Sequence, residues 1–453
     1  MSDQTQHLRA LDRKHIWHPF TQMAGWMDEN FPVIVAGDGV HLIDSDGRRY
    51  LDGVASIWTN VHGHCVPKID AAVRAQLDRI AHSTLLGLGG EASIRFAAEL
   101  APHLPGDLQR IFYSDNGATA VEVAIKIAFA YWRHVGRPEK KIFYRFENAY
   151  HGDTIGSVSV GGIDTFHSLY QPLLFDSPVL PYPYAPPFPK ERDRAAYAQD
   201  CIAHIEQTLR EGAGEAAGVI LEPLMQGAGG MHPAPSGFLR KLRELCNELD
   251  ILLIADEVAV GFGRTGKLFA CEHENVIPDL MAMAKGISGG YLPLAATAMR
   301  EKVYDAFLGE HREMKTFFHG HTYTGNPLAC AAASASLKLL LGNVLPELPA
   351  KIDVFSDALS QLEKLPNVGD VRRVGLMTGI ELVADPHTNA PYDVDLRMGH
   401  RVTLAARERG AIIRPLGDTV VLMPPLAMTA DQLRELVAIT GEAIEAVVEE
   451  QQK

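Results

Sequence analysis

The 453-residue chain is short of cysteine and of every pattern that cysteine clusters build. Cys65, Cys201, Cys246, Cys271 and Cys330 are scattered, with no Cys-x-x-Cys pair. That excludes a zinc ribbon or a redox dithiol and reads as reduced cytosolic thiols, most of them core fillers. The N-terminus, MSDQTQHLRALDRK, lacks the apolar centre of a signal peptide. No run approaches the ~20 apolar residues of a membrane span. Positive charge is also in deficit: 42 Lys and Arg stand against 56 Asp and Glu, a net charge of −14. This balance argues against nucleic acid and against an anionic membrane surface as partners, and the expected location is cytoplasmic. There is no internal repeat and no low-complexity tract. Histidine is plentiful, at 19 residues. The pairs His62-Gly63-His64 and His319-Gly320-His321 nevertheless lack a third ligand at useful spacing, so no metal is expected.

What is present is an ordinary globular composition, 47% hydrophobic and 22% charged, in a chain long enough for two or three domains. Its organising stretch runs from Ile251 to Lys285. The apolar run 251–255 reads as a buried parallel strand ending on Asp256, and a glycine-rich turn follows at 261–266. A second apolar run, 280–284, ends on Lys285, with Gly286, Gly289 and Gly290 behind it. Open parallel sheets keep their ligand crevice at the carboxyl ends of the strands. A carboxylate and an amine meeting there fit a pyridoxal phosphate site: the lysine forms a Schiff base with the aldehyde and the acid keeps the pyridinium nitrogen protonated. From this pair alone, solvated strand caps are the commoner reading.

Around that stretch the chain alternates strand and helix. Strands are expected at 110–113, 141–146 and 218–221, with helices over 67–80, 91–100, from about 117 through Trp132, 195–211 and 238–249, which implies a mostly parallel sheet with right-handed crossovers. Residues 33–51 read as an antiparallel meander turning at Asp-Gly steps. The strand at 110–113 feeds Ser114-Asp115-Asn116-Gly117-Ala118-Thr119 at a helix start. That is either an anion site, where free N–H groups and the helix dipole favour phosphate, or an ordinary capped helix. Tyr150, just past a strand end, can lie flat on a planar ligand. The proline-rich stretch 181–189 reads as a surface loop. The aromatic cluster at 15–20 marks a terminal arm that docks on something or packs on its own body. Beyond an Ala-rich helix over 328–341 come a helix over 351–364, a strand over 371–382, a helix over about 396–409, short strands at 411–414 and 420–423 and a last helix from Ala430, an α+β unit of about 120 residues.

These residues, in this order, resemble the class III pyridoxal phosphate aminotransferases along nearly the whole chain. The matching set is Asn116-Gly117-Ala118, Tyr150-His151-Gly152-Asp153, Glu222-Pro223, Asp256-Glu257-Val258 with the turn at 261–266, Lys285-Gly286, and Thr322-Tyr323-Thr324-Gly325-Asn326-Pro327. The resemblance implies an α/β fold of the fold type I pyridoxal phosphate-dependent transferases: residues 1–60 as N-terminal arm and meander belonging to a small domain, 61–325 as the large cofactor-binding domain, and 326–453 as the C-terminal small domain. It implies a homodimer with the active site at the subunit interface. Lys285 takes the role of nucleophile and then general base, and Asp256 keeps the ring an electron sink. Gly117 and Ala118 take the phosphate, Tyr150 and Val258 the ring faces, and Glu222 completes the cofactor set. Thr322 and His321 reach the phosphate from the neighbouring subunit. Phe20, Trp58, Tyr150, Gly320 and Arg414 form the substrate set, Arg414 as a bidentate carboxylate partner. For Trp58 and Phe20, core packing is the competing assignment.

The motifs at 16–21, 52–53 with Trp58, 226–231, 269–273, 414–415 and 423–425 are similar to the biotin-pathway branch of the family. Its acceptor is 8-amino-7-oxononanoate and its donor S-adenosylmethionine or lysine. Phe20 and His321 depart from the pattern of the S-adenosylmethionine users, which leans the expected donor toward lysine. Other ω-amino acid or diamine aminotransferases, a mutase or decarboxylase on the same fold, and a non-catalytic binding protein are the alternatives.

Overall fold

In a computed structural model, residues 2–184 and 193–453 are described. The larger sheet has seven strands in the spatial order Arg110–Ser114, Ala295–Met299, Leu280–Met283, Leu252–Asp256, Ala216–Leu221, Ile142–Phe146 and Val179–Leu180. Ala295–Met299 runs antiparallel to both neighbours, and the remaining pairings are parallel. The sheet is therefore mostly parallel, as expected. Every residue of Ala216–Leu221, Leu252–Asp256 and Leu280–Met283 is buried, which is why these strands read as continuous apolar runs rather than alternating ones. Alternate side chains serve opposite faces. Ile220, Leu252, Ile254 and Leu280 pack with Val121, Ala124 and Ile127 of the helix Gly117–His134. Val219, Leu253 and Met281 pack on the other face with Leu239 and Leu242 of the helix Phe238–Glu248. All strands that carry site residues point their carboxyl ends to one edge.

The C-terminal unit holds an antiparallel sheet, Val368–Val374, Met377–Leu382, Thr419–Leu422 and Arg414–Leu416. The single strand expected over 371–382 is a hairpin instead. Its corner is Gly375, at φ +59°, where a Cβ would sit 2.5 Å from the backbone of Thr265; apolar composition through the corner hid the turn. The meander Ile34–Asp38, His41–Asp44 and Arg49–Asp52 is completed by Ala411–Ile412, pairing parallel to Arg49–Asp52. This pairing joins the meander to the C-terminal unit.

The helix Pro327–Leu339 packs on Pro67–Leu77 and Glu91–Leu100, so the boundary expected between 325 and 326 runs through a helical layer. The helical stretch Pro327–Lys364 is, by length and composition alone, apolar enough to cross a membrane; here its first helix is a core element. Residues 185–189 of the proline-rich stretch lie outside the described residues. Its opening residues are not a surface loop: Tyr182 is buried with its hydroxyl donating to the His232 carbonyl at 3.3 Å. In the arm, the helix Asp3–His15 is capped by Ser2. Asp12 accepts from Trp26 Nε1 and pairs with His18, each at 2.9 Å. Trp17 packs on nothing comparable and is 87% exposed.

Asp279 fastens the back of the sheet. Its buried carboxylate accepts from Arg243 Nη1 at 2.6 Å and the Leu253 N–H at 2.9 Å, and pairs with Lys302 at 2.6 Å. Burial pushes this carboxyl up; Arg243 and Lys302 outweigh burial and hold it below the usual range. Its contribution to stability is then complete above the unfolded carboxyl's pKa and is lost as pH falls through the lower folded value. Asp279→Ala should lower the unfolding free energy by about 3–5 kcal/mol at neutral pH, because it strands a buried guanidinium. Denaturant titration checks this, and the deficit should shrink in acid.

Candidate active site

At the carboxyl edge of the large sheet lies a cavity of 720 Å³ lined by Trp58, Gly117, Ala118, Tyr150, Glu222, Asp256, Val258 and Lys285 among others. Asp256 is the last residue of its strand, and Lys285 follows the end of Leu280–Met283, the next strand over. The sheet itself therefore brings the acid and the amine together.

Asp256 is fixed on both oxygens. His151 Nδ1 donates to Oδ2 at 2.7 Å and the Val258 N–H donates to Oδ1 at 3.0 Å. His151 is buried, and its Nε2 has no hydrogen-bond partner among the described residues. Glu222 is also buried and accepts from the Tyr150 N–H at 3.2 Å and the Gly227 N–H at 2.8 Å. Burial chiefly, with Asp256 adding, pushes the Glu222 carboxyl up to about 7. Lys285 is pulled down to about 8 by burial, against the opposing pull of Asp256 and Glu222. Desolvation disfavours each charged form, so a neutral, nucleophilic amine is within reach near physiological pH. Lys285 also has φ +49°, a left-handed conformation costing about 1–2 kcal/mol without glycine. Strain of this kind persists where the surroundings over-determine it and clusters at functional sites.

The helix Gly117–His134 begins at the cavity wall. Asn116 caps it by accepting from the Thr119 N–H, with Thr119 returning the bond. The cap engages the third N–H and leaves the first two, of Gly117 and Ala118, at the cavity, so capping and anion binding coexist here. A Cβ at Gly117 would stand 2.7 Å from Val258 Cγ1, and one at Gly152, at φ +117°, 2.4 Å from Ala118 Cβ. These approaches close the floor of the cavity.

Trp58 reaches the cavity from the meander side, its ring centroid 4.6 Å from Lys285 Nζ. It belongs to a turn, Ala55–Trp58, whose four residues all have positive φ, 49°, 47°, 64° and 69°. The Trp58 N–H donates to the Val54 carbonyl at 2.7 Å and the Thr59 N–H to that of Ala55 at 2.9 Å. This is a left-handed helical turn without glycine, again at about 1–2 kcal/mol per residue.

Not every expected residue meets here. Phe20 is 56% exposed, and its ring contacts Phe166 at 5.2 Å, which in turn contacts Tyr150 at 6.4 Å; it does not line the cavity. Gly320, His321 and Thr322 sit on a loop outside the cavity lining, as does Arg414 at the start of its strand. His151 was legible only as part of a motif; its service to Asp256 needed the geometry. The same holds for Asp153, which accepts from the Tyr150 hydroxyl at 2.6 Å.

The aminotransferase class-III profile matches residues 23–444. The chain belongs to the class III aminotransferase family. It is 55% identical to the adenosylmethionine-8-amino-7-oxononanoate aminotransferase of Geobacter sulfurreducens, over 96% of each chain. The crystal structure of the enzyme with that name from Methanocaldococcus jannaschii superposes with TM-score 0.92 at 41% identity, covering 97% of this chain and 99% of that one. An amine transaminase from an uncultivated Pseudomonas species, in its PLP-bound form, gives 0.88 at 36% identity, covering 95% and 98%. This aminotransferase accordingly has the fold type I architecture and uses pyridoxal phosphate. The cavity fits that group. It offers an amine brought near neutrality, a pinned carboxylate, a helix start with open N–H groups and a floor that a Cβ at Gly117 would obstruct.

Two outcomes are expected. Attachment of pyridoxal phosphate to cofactor-free protein should quicken about tenfold per pH unit up to about 8 and then level off, because only the neutral Lys285 amine attacks; stopped-flow absorbance reads the midpoint. Asp256→Asn should keep the fold while holding cofactor poorly and slowing single-turnover amino transfer by at least about 100-fold, measured by rapid-mixing spectroscopy.

Proposed function

We propose that the protein transfers an amino group to the keto carbon of 8-amino-7-oxononanoate, giving 7,8-diaminononanoate in biotin biosynthesis, with S-adenosylmethionine as donor. The observation that carries this reading is the full-length 55% identity to a relative named for that acceptor and donor, joined to a cavity whose lysine, acid and indole suit amino transfer. The donor departs from the lean toward lysine. That lean rested on Phe20 and His321; the Phe20 ring is turned to Phe166, and neither residue lines the cavity of its own chain, so a hydroxyl missing at position 20 removes no contact from that wall.

Bound pyridoxal phosphate supplies an aldehyde and an electron-accepting ring. In this reading Asp256, held by His151 and Val258, would hold the ring nitrogen of that group. The N–H groups of Gly117 and Ala118 would hold its phosphate, where the helix dipole adds attraction. Val258 and Tyr150 would hold the ring. The Lys285 Nζ would serve as the base that accepts and returns the substrate proton. Trp58 covers that nitrogen and limits water, which strengthens the electrostatics of the site. Arg414 would meet the acceptor carboxylate.

We further propose a cytoplasmic homodimer in which the loop holding Gly320, His321 and Thr322 completes the phosphate site of a second copy. What supports it is that this loop is exposed and off the cavity of its own chain, while the family motif it matches is phosphate-binding.

Supplying purified enzyme with 8-amino-7-oxononanoate and S-adenosylmethionine should yield diaminononanoate, and lysine should yield at most about a tenth as much under the same conditions; equal or greater product with lysine reverses the donor assignment. Mixing inactive Lys285→Ala and Thr322→Ala subunits should restore activity through mixed dimers with one intact site, and no recovery after verified exchange rejects the shared site.

A further inference from the structure

The left-handed turn at Ala55–Trp58 needs something to hold it, and the group that does so lies outside the cavity. Asp52 is fully buried at the end of the strand Arg49–Asp52 and is not among the cavity-lining residues. Its Oδ1 accepts from the Ser56 N–H at 2.9 Å and its Oδ2 from the Ser56 hydroxyl at 2.8 Å, with His64 Nε2 at 3.2 Å from the same oxygen. Asp52 itself cannot drift. Its N–H donates to the Val40 carbonyl at 2.9 Å, and the next residue, Gly53, donates to Ile412 and accepts from the Met423 N–H, each at 2.9 Å. A Cβ at Gly53 would meet Leu436, Ile413 and the Ile412 carbonyl within 3.0 Å. The carboxylate is thus anchored in the small sheets and grips the middle of a turn whose four residues would relax elsewhere if released. At the end of that turn Trp58, 7% exposed, lies over Lys285 with its indole Nε1 lacking a partner among the described residues. A buried N–H without an acceptor is costly and is expected where a bound molecule supplies one.

We propose that Asp52 is a positioning residue that clamps the left-handed turn through Ser56 and thereby fixes the Trp58 indole over Lys285, with its N–H presented to a bound substrate or cofactor acceptor. This deepens the amino-transfer reading of the cavity and rests on it. Anchoring of the turn in the small-sheet framework also makes the indole the point where that framework touches the reacting nitrogen.

The test is a double-mutant cycle on cofactor-loaded protein, using Asp52→Ala, Trp58→Ala and both together. The first readout is the pH midpoint at which the near-visible cofactor absorption changes, which reports the surroundings of the Lys285 nitrogen without requiring turnover. Trp58→Ala should move it by about half a pH unit, the scale of one lost indole contact. Asp52→Ala should move it in the same direction and by a similar amount, and the double variant no further. The second readout is the KM for 8-amino-7-oxononanoate, expected to rise about tenfold in either single variant without multiplying in the double. Effects that sum across the cycle, or a folded Asp52→Ala with an unmoved midpoint, overturn the proposal. If Asp52→Ala fails to fold, Ser56→Ala enters the same cycle and is judged by the same two results. An active-site midpoint that behaves as expected in a protein that never consumes the acceptor refutes the function alone.

Discussion

The site depends on holding one carboxylate immobile inside a sheet edge. Asp256 is 4% exposed, a setting in which a polar group without partners is costly. Two donors, His151 Nδ1 and the Val258 N–H, hold it. That arrangement allows the same small volume to contain a lysine near neutrality and a second acid, Glu222, drawn toward its protonated form. Burial pulls the Lys285 amine down to about 8 and pushes the Glu222 carboxyl up to about 7, so neither group is bound to its ordinary charge near neutral pH. The neighbouring Asp256 is the smaller influence on both, opposing the fall of Lys285 and adding to the rise of Glu222.

The second constraint is backbone geometry. The ends of parallel strands deliver Asp256 and Lys285, but aiming them takes unusual conformations at Lys285 and across Ala55–Trp58. Glycine appears at Gly117 and Gly152, where a side chain would collide with Val258 or Ala118, and it is absent from the turn at 55–58. There the strain is borne by L-residues and restrained by Asp52. Rigidity at the indole and openness at the helix start are both products of local sequence, but only the second leaves a glycine to mark it.

Much of this was legible before any coordinates. Buried strands such as Leu252–Asp256 announce themselves as apolar runs, helices such as Glu91–Leu100 by periodicity, and the acid and lysine by their place at the strand ends. What sequence reading missed was one masked turn and several non-local contacts. The hairpin at Gly375 turns inside an apolar stretch, so periodicity carried straight through it. The Pro327–Leu339 helix follows the last motif of the large domain and looks like a fresh start, although its partners are the helices at 67–77 and 91–100. His151 serves Asp256 across 105 positions, and no spacing rule links them. Phe20 was placed in the pocket by motif position, whereas its ring faces Phe166.

The most direct measurement of the central claim is borohydride trapping of the cofactor-loaded protein followed by peptide mapping. The account predicts the cofactor-derived mass on Lys285 and nowhere else, since the amine of this lysine is the one the fold brings into the cavity beside Asp256 and toward neutrality. Stoichiometric label on a different lysine, with Lys285 unmodified, would contradict it.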